Sequence, residues 1–442
     1  CKKPAFTFMR RRRLLIDAAA VIALTACASA NSVNSAPSSQ SVVSTTAAAQ
    51  HKEVTTVTSV ASASIQTTST TSALTTTSEA TRSASGQIEV TPKSFDQVSQ
   101  TIKNFVDRNQ LNGAGFVVVD RDRGVIYHNH WGEFSPDRIS LIASTSKVIS
   151  AGVLVHLHDQ GILNLEAPIG QVIDYAGPLG GITPVQLLSG SSGIPGLQPE
   201  DPLYICMFLP SSSLQRCAAE ALSVAASDPR TVPPDTEFRY GGVQLQVAGA
   251  VAEVASGKQW ADLVDEIYVQ PCEMRSLGYS NPWIPLQAVS GKYPDWSGDL
   301  SLLPPTDNPH IGGGGYITTG DYGKLLSMHL NNGMCGDYEV LSHAGVELMQ
   351  LNRSGEVYGS PIGYGLGWWT QSPNRYGESA NQETQSTVRL TDPGLYGSTA
   401  WLQPDDGFGA YLVVESTTSV GQRLAKMLYP IVESAVQALR SG

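Results

Sequence analysis

Ser144 and Lys147 are the residues on which chemistry could rest. They stand three positions apart in Ile142-Ala143-Ser144-Thr145-Ser146-Lys147-Val148-Ile149, and at the start of a helix that spacing puts both side chains on one face. A serine at a helix N-terminus meets unpaired backbone N–H groups and the positive end of the helix dipole. A lysine beside it, partly desolvated, can lose its proton and then draw one from the hydroxyl, which activates the serine without a histidine. Among the lysines of the chain, only Lys147 has a serine three positions before it. The same spacing would also suit an N-cap serine beside a surface lysine, so a further partner is needed to separate the two readings.

Tyr240 is the candidate partner. It lies in Pro234-Asp235-Thr236-Glu237-Phe238-Arg239-Tyr240-Gly241-Gly242, just ahead of an apolar helix, where the glycines place it on an exposed rim. Near a lysine ammonium its phenolate is favoured, and it could pass the serine proton to a leaving group. A lone tyrosine is more often half-buried packing. Other nucleophile systems find less support. No G-x-S-x-G is present. His156 and His158 are two apart on a helix and face different ways, while His128 and His130 share a strand face without a third ligand. Both pairs read as structural, and no metal or cofactor is implied.

The elements that must position these residues follow from periodicity. Ala151, Val153, Leu154, Val155 and Leu157 continue from the Ser144 turn as a buried helix that stops at Gly161. Ser94–Gln110 has a helical pattern. Gly115–Asp120 and Val125–His128 read as a hairpin about the polar turn 121–124. Thr183-Pro184 opens a short capped helix. Leu214–Ala226 is a longer helix, and Val243–Ser256 is an amphipathic helix ending at Gly257. Trp260–Tyr268 and Tyr322–Leu330 are helical. Ser398–Gln403 and Gly409–Glu415 are strands, and Leu424–Leu439 is a closing helix. Strands at both ends with helices between them predict an α+β fold: one antiparallel sheet completed by both chain ends, flanked by helices, with a helical subdomain beside it.

The N-terminal part is of another kind. Met9 and Arg10–Arg13 precede the apolar run Leu14–Leu24, which closes on Leu24-Thr25-Ala26-Cys27. A basic segment, a short apolar segment and small residues before a cysteine describe an export signal. The run is too short for a ~30 Å hydrocarbon core. The last four residues resemble the bacterial lipobox, which implies cleavage after residue 26 and a lipid on Cys27. Residues 28–90 are rich in Ser, Thr, Ala and Val and carry too little apolar surface to fold, so they read as a flexible tether. The expected organisation is therefore 1–26 signal, 27–91 lipidated tether and 92–442 globular domain. The net charge of −11 argues against a nucleic-acid partner. In an exported chain, Cys206, Cys217, Cys272 and Cys335 suggest two disulfides, with spacing that favours Cys206–Cys217 and Cys272–Cys335. Zinc is the rival, but no C-x-x-C pair is present.

Seven stretches, taken in order, resemble the β-lactamase-related serine hydrolases. They are Ser144–Lys147, Gly161–Pro168, Leu187–Pro195, Pro234–Gly242, Gly315–Tyr322, Tyr364–Trp368 and Asp392–Trp401. That group takes in class C β-lactamases, D-alanyl-D-alanine carboxypeptidases and family VIII carboxylesterases. The resemblance covers 92–442 and implies a β-lactamase/transpeptidase-like fold, Ser144 as the acylated nucleophile, Lys147 as its proton partner and Tyr240 as the Y-x-N tyrosine. Three departures stand out. Gly242 replaces the asparagine that steadies lysine and substrate. Gly190 replaces a common histidine. Asp392-Pro393-Gly394 occupies the place of K-T-G or H-G-G, so the cation that would receive a substrate carboxylate has become Asp392. Beyond Gly394 the Leu395 N–H could still form an oxyanion hole with the Ser144 N–H.

The expectation is an exported, lipid-anchored hydrolase that opens a small ester or amide substrate through an acyl-serine, esterase-like because Asp392 repels a carboxylate unless Arg389 compensates. The alternatives are a β-lactamase or D-alanyl-D-alanine carboxypeptidase and, from another class, a catalytically silent envelope binding module. In that last case Tyr240 would point into the core. The sequence also places Met207-Phe208-Leu209-Pro210, inside the Cys206–Cys217 loop, over the cleft as an apolar rim.

Overall fold

The computed structural model describes residues 93–196, 202–287, 292–354, 363–371 and 389–441. The predicted export signal, Cys27 and the Ser/Thr-rich stretch lie outside the described residues.

The chain enters through α1 (Asp96–Asn109), whose Val98, Ile102, Phe105 and Val106 form one buried stripe. Then come β1 (Gly113–Asp120) and β2 (Gly124–Gly132). Their turn is held by the Asp120 carboxylate, which accepts from the backbone N–H groups of Asp122 and Arg123. After β3 (Ile139–Leu141), a 3₁₀ turn over Ala143–Ser146 leads into α2 (Lys147–Asp159). The helices α3 (Pro184–Ser189), α4 (Leu214–Ser227), α5 (Val243–Ser256) and α6 (Trp260–Val264) make up the helical part.

The chain continues through β4 (Gly278–Tyr279), β5 (Gly315–Thr318), α7 (Thr319–Leu330), β6 (Met334–Cys335), β7 (Tyr338–Glu339) and α8 (His343–Gln350). It closes with β8 (Gly363–Tyr364), β9 (Trp369–Gln371), β10 (Arg389–Pro393), β11 (Thr399–Gln403), β12 (Phe408–Val413) and α9 (Thr418–Ser441). Both predicted disulfides are present, with Cα–Cα distances of 5.3 Å for Cys206–Cys217 and 5.2 Å for Cys272–Cys335.

The main sheet has seven strands in the order β2-β1-β12-β11-β10-β9-β8, and its neighbouring strands run antiparallel. Both chain ends therefore build it, as the strand distribution predicts. It is covered on two faces, which is why β1 reads as an unbroken apolar run rather than an alternation. Phe116 and Val118 face α1 and α9 together with Trp401, Phe408 and Ala410. Val117, Val119, Leu390, Ala400 and Tyr411 face the opposite way, into the core shared with α2, α5 and α7.

One expectation needs correction, and one departure from the family pattern finds its reason in packing. The helix α5 is buried along Val243–Glu253 rather than amphipathic. Its polar positions are absorbed inside, where Gln246 donates to Asn308 and to the Pro309 carbonyl. At Gly190, which caps α3 with φ 73°, a Cβ would stand 2.8 Å from the Phe238 ring, so close packing excludes the common histidine.

Candidate active site

From Ser140 to Val155 every residue is buried except Ser144. The preceding Ala143 is held at φ 46°, a left-handed conformation that a residue with a Cβ rarely adopts. This tight entry presents the Ser144 hydroxyl outward while the rest of the turn is locked inside. Thr145 Oγ1 donates to the Asp392 carbonyl at 3.0 Å and lies 2.8 Å from Ser398 Oγ. Ser146 Oγ donates to the Ala143 carbonyl and accepts from Gly315 N.

Lys147 Nζ lies 3.0 Å from Ser144 Oγ and donates at 2.7 Å to the Gly312 carbonyl. The side chain is buried, and burial pulls its pKa down to about 8 against the opposing pull of the Asp392 charge. Tyr240 completes the group. Its ring lies beneath Lys147 Nζ, 4.7 Å from nitrogen to centroid, and its hydroxyl hydrogen bonds with the Ser144 side chain. Ser144, Lys147 and Tyr240 are thus brought together as predicted, and Tyr240 does not turn into the core. Its ionisation state differs from expectation. Burial, then the Asp392 charge, raises the Tyr240 pKa, so the phenol is favoured over the phenolate and Lys147 is the group poised to lose a proton.

Gly394, just beyond β10, lies hard against the Ser144 turn: a Cβ there would overlap Ile142 O and Ser398 Oγ. In the turn that follows, Gly394 N donates to Ser398 O and Gly397 N to Gly394 O. The Leu395 N–H takes no part in these bonds.

Asp392 is placed differently from expectation. It is fully buried rather than facing a substrate, and neither carboxylate oxygen makes a hydrogen bond of ordinary geometry among the described residues. On β10 its side chain shares the inner face with Leu390, beneath the Ser144 turn. Arg389 does not compensate for it, because its guanidinium stacks over Tyr429 of α9 at 4.2 Å, on the other face of the sheet.

Three features escaped the sequence. The Gly312 carbonyl holds Lys147, and the run Gly312–Gly315 was the available signal. The position left open by Gly242 is filled: a Cβ there would stand 2.6 Å from Met207 Cε and 3.5 Å from His310 Cε1. His310 is buried with both ring nitrogens unpartnered among the described residues, and burial, reinforced by the Lys147 charge, takes its pKa down to about 3. The cleft also has aromatic walls. Phe208 lies 5.5 Å from His310 and 5.8 Å from Trp283, while Tyr240 lies 5.0 Å from Trp369 and 5.8 Å from Tyr364. The Cys206–Cys217 loop therefore does reach the site, through Met207 and Phe208.

A family model described as Beta-lactamase matches residues 98–429, and the chain belongs to that family, whose members are serine hydrolases. "Penicillin-binding protein 4" of Amycolatopsis lactamdurans is 25% identical over 316 residues, covering 65% of this chain and 79% of its own. The "D-alanyl-D-alanine-carboxypeptidase/endopeptidase AmpH" of Escherichia coli is 24% identical over 329 residues, covering 68% and 79%. Among solved structures, "EstCE1, a hydrolase with promiscuous acyltransferase activity" superposes with a TM-score of 0.61 at 18% identity, covering 78% of this chain and 98% of that one. A "putative beta-lactamase from Bacteroides dorei DSM 17855" superposes with a TM-score of 0.58 at 23% identity, covering 76% of this chain and 98% of that one, which bears out the β-lactamase/transpeptidase-like fold.

Proposed function

We propose that the protein is an exported, lipid-anchored hydrolase that cleaves uncharged esters through an acyl-Ser144 intermediate. The observation that carries this reading is the 3.0 Å approach of a buried Lys147 Nζ to Ser144 Oγ. Lys147 in its neutral form takes the Ser144 proton as Oγ attacks the ester carbonyl. The Ser144 and Leu395 N–H groups receive the developing oxyanion. The Tyr240 phenol donates its proton to the departing alkoxide and is reprotonated from Lys147. Water then attacks the acyl-enzyme along the reverse proton path and releases the acid.

Two features favour a neutral acyl group. The family's cation is replaced by a buried acid at Asp392, with Arg389 on the far face. The walls beside Ser144 are aromatic and capped by the disulfide-stapled Met207 and Phe208. Of the similar proteins, one is named for penicillin binding, one for D-alanyl-D-alanine carboxypeptidase activity and one for hydrolase and acyltransferase activity, so the test compares these substrates directly. A fluorophosphonate probe should label the protein at Ser144, and p-nitrophenyl butyrate should be turned over faster than nitrocefin or a D-Ala-D-Ala peptide. Equal labelling of Ser144→Ala would refute the nucleophile, and efficient nitrocefin hydrolysis would refute the ester preference. The export and lipid reading rests on residues 9–27; radiolabelled palmitate should enter the protein in bacteria and be lost in Cys27→Ser.

A further inference from the structure

Asp392 is a buried acid without an ordinary hydrogen-bond partner among the described residues, and it lies at the centre of the site rather than at its edge. A carboxylate in such a place is strongly destabilised unless an opposite charge or oriented dipoles face it. Both are present. The Lys147 charge and the backbone N–H of Val148 favour its ionised form against burial, which raises its pKa. Lys147 and Val148 open α2, so the carboxylate faces the positive end of a 13-residue helix. The strand that carries Asp392 is tied to the nucleophile turn by the 3.0 Å bond from Thr145 Oγ1 to the Asp392 carbonyl.

The other titratable groups around the pair are Tyr240 ahead of α5, Tyr279 on β4, His310 before β5, Tyr322 on α7, Tyr364 on β8 and Tyr411 on β12. Burial is the leading cause that raises all five tyrosines and lowers His310. These groups are neutral across the ordinary working range, which leaves Asp392 and Lys147 as the charges that matter.

On the reading of Ser144 as nucleophile and Lys147 as its base, we propose that Asp392 is a positioning residue whose walled-in carboxylate balances the ammonium formed when Lys147 takes the Ser144 proton. The acid has replaced a substrate-binding cation and now serves the base from behind. When Ser144 Oγ–H gives its proton to Nζ, a positive charge appears in a dry site, and Asp392 is the fixed negative charge that meets it. Its presence also holds Lys147 protonated to higher pH than burial alone would allow, so the site is quiet in acid and active in mild alkali.

The test is the rate of fluorophosphonate labelling at Ser144 as a function of pH, in full-length protein and in Asp392→Asn and Asp392→Glu. In Asp392→Asn the acid limb should move down by about one pH unit or more and the high-pH plateau should fall about tenfold. In Asp392→Glu the limb should stay in place. An unmoved or raised limb in Asp392→Asn overturns the proposal. Absence of Ser144 labelling in the unmutated protein would instead overturn the nucleophile on which it rests. Should Asp392→Asn fail to fold, the ¹⁵Nζ resonance of Lys147 in the unmutated protein, assigned by its loss in Lys147→Met, reads the same coupling without any reaction. Two inflections with pH support the pair, and a single inflection overturns it.

Discussion

Lys147 Nζ donates at 2.7 Å to the carbonyl of Gly312 and lies at 3.0 Å from Ser144 Oγ. One bond fixes the nitrogen and the other holds it against the Ser144 hydroxyl. A neutral amine keeps N–H groups to donate to Gly312 while its lone pair turns to Ser144, so losing the charge does not release the side chain.

Lys147→Met should therefore abolish Ser144 labelling, by about a thousandfold or more, and change the pH dependence of stability. The sign follows from burial. Lys147 is lowered from 10.5 to about 8 in the folded protein, so between those values the unfolded chain holds a proton that the folded chain has released. The destabilisation from this group is full below about pH 8 and fades as pH rises toward 10.5. Removing the amine lifts this penalty but leaves Asp392 without its opposite charge, so the effect is read in the Asp392→Asn background, where no buried carboxylate is left unpaired. There Lys147→Met should stabilise the protein below pH 8 and do so less as pH approaches 10.5. Thermal melts at pH 6.5 and 10 check it; a Tm gain at pH 10 as large as at pH 6.5 would contradict the argument.

Tyr240→Phe keeps the ring against Trp369 and Tyr364 and loses only the hydroxyl directed at Ser144. Ester turnover should fall by roughly 10²–10³, with the melting temperature nearly unchanged. A purely structural tyrosine would give the opposite pattern, little change in rate and a clear loss of stability.

Gly242→Asn, which restores the common family residue, must displace the flexible end of Met207, whose Cε would stand 2.6 Å from the new Cβ, and find room for its amide beside His310. Because Met207 can swing aside, the loss should lie at the low end of the about 1–3 kcal/mol that overpacking brings. The double variant Gly242→Asn with Met207→Ala should recover most of that loss. Additive losses in a double-mutant cycle would show that the two positions do not compete.

Replacing Cys206 and Cys217 with serine should lower stability by about 2–4 kcal/mol. It should also loosen Met207 and Phe208 from the cleft and flatten the preference for apolar acyl groups. Chain-length profiles with p-nitrophenyl esters measure this. A less stable protein with an unchanged profile would confine the bridge to a stabilising role.

How much of this could be read from the residues depends on the range of the interaction. Ser144, Lys147 and the capped helix at Thr183 were legible because spacing and local hydrogen bonding define them. The hairpin of β1 and β2 was legible for the same reason. Burial of Asp392 was not, because it depends on which face of β10 meets α2, and a five-residue strand buried on both sides carries no alternation to reveal it. The phenolate expected at Tyr240 failed for a related cause: a neighbouring lysine argues for ionisation, but the desolvation opposing it comes from rings that are distant in sequence. The disulfide loop placed Met207 over the cleft, but that it and His310 would fill the gap at Gly242 from loops far away in the chain is announced by no local pattern.

The pairing of β1 with β12 has a consequence for the timing of activity. Asp120 finds its strand partner in Phe408, and the strand bearing Asp392 joins the sheet through β11, which in turn pairs with β12. A nascent chain that has already produced Ser144, Lys147 and Tyr240 still lacks the strand edge that closes around them. Contacts of such long sequence separation form late and slowly. A polypeptide that stops before β12 would therefore carry Ser144, Lys147 and Tyr240 without the strands through which β10 is joined to β1.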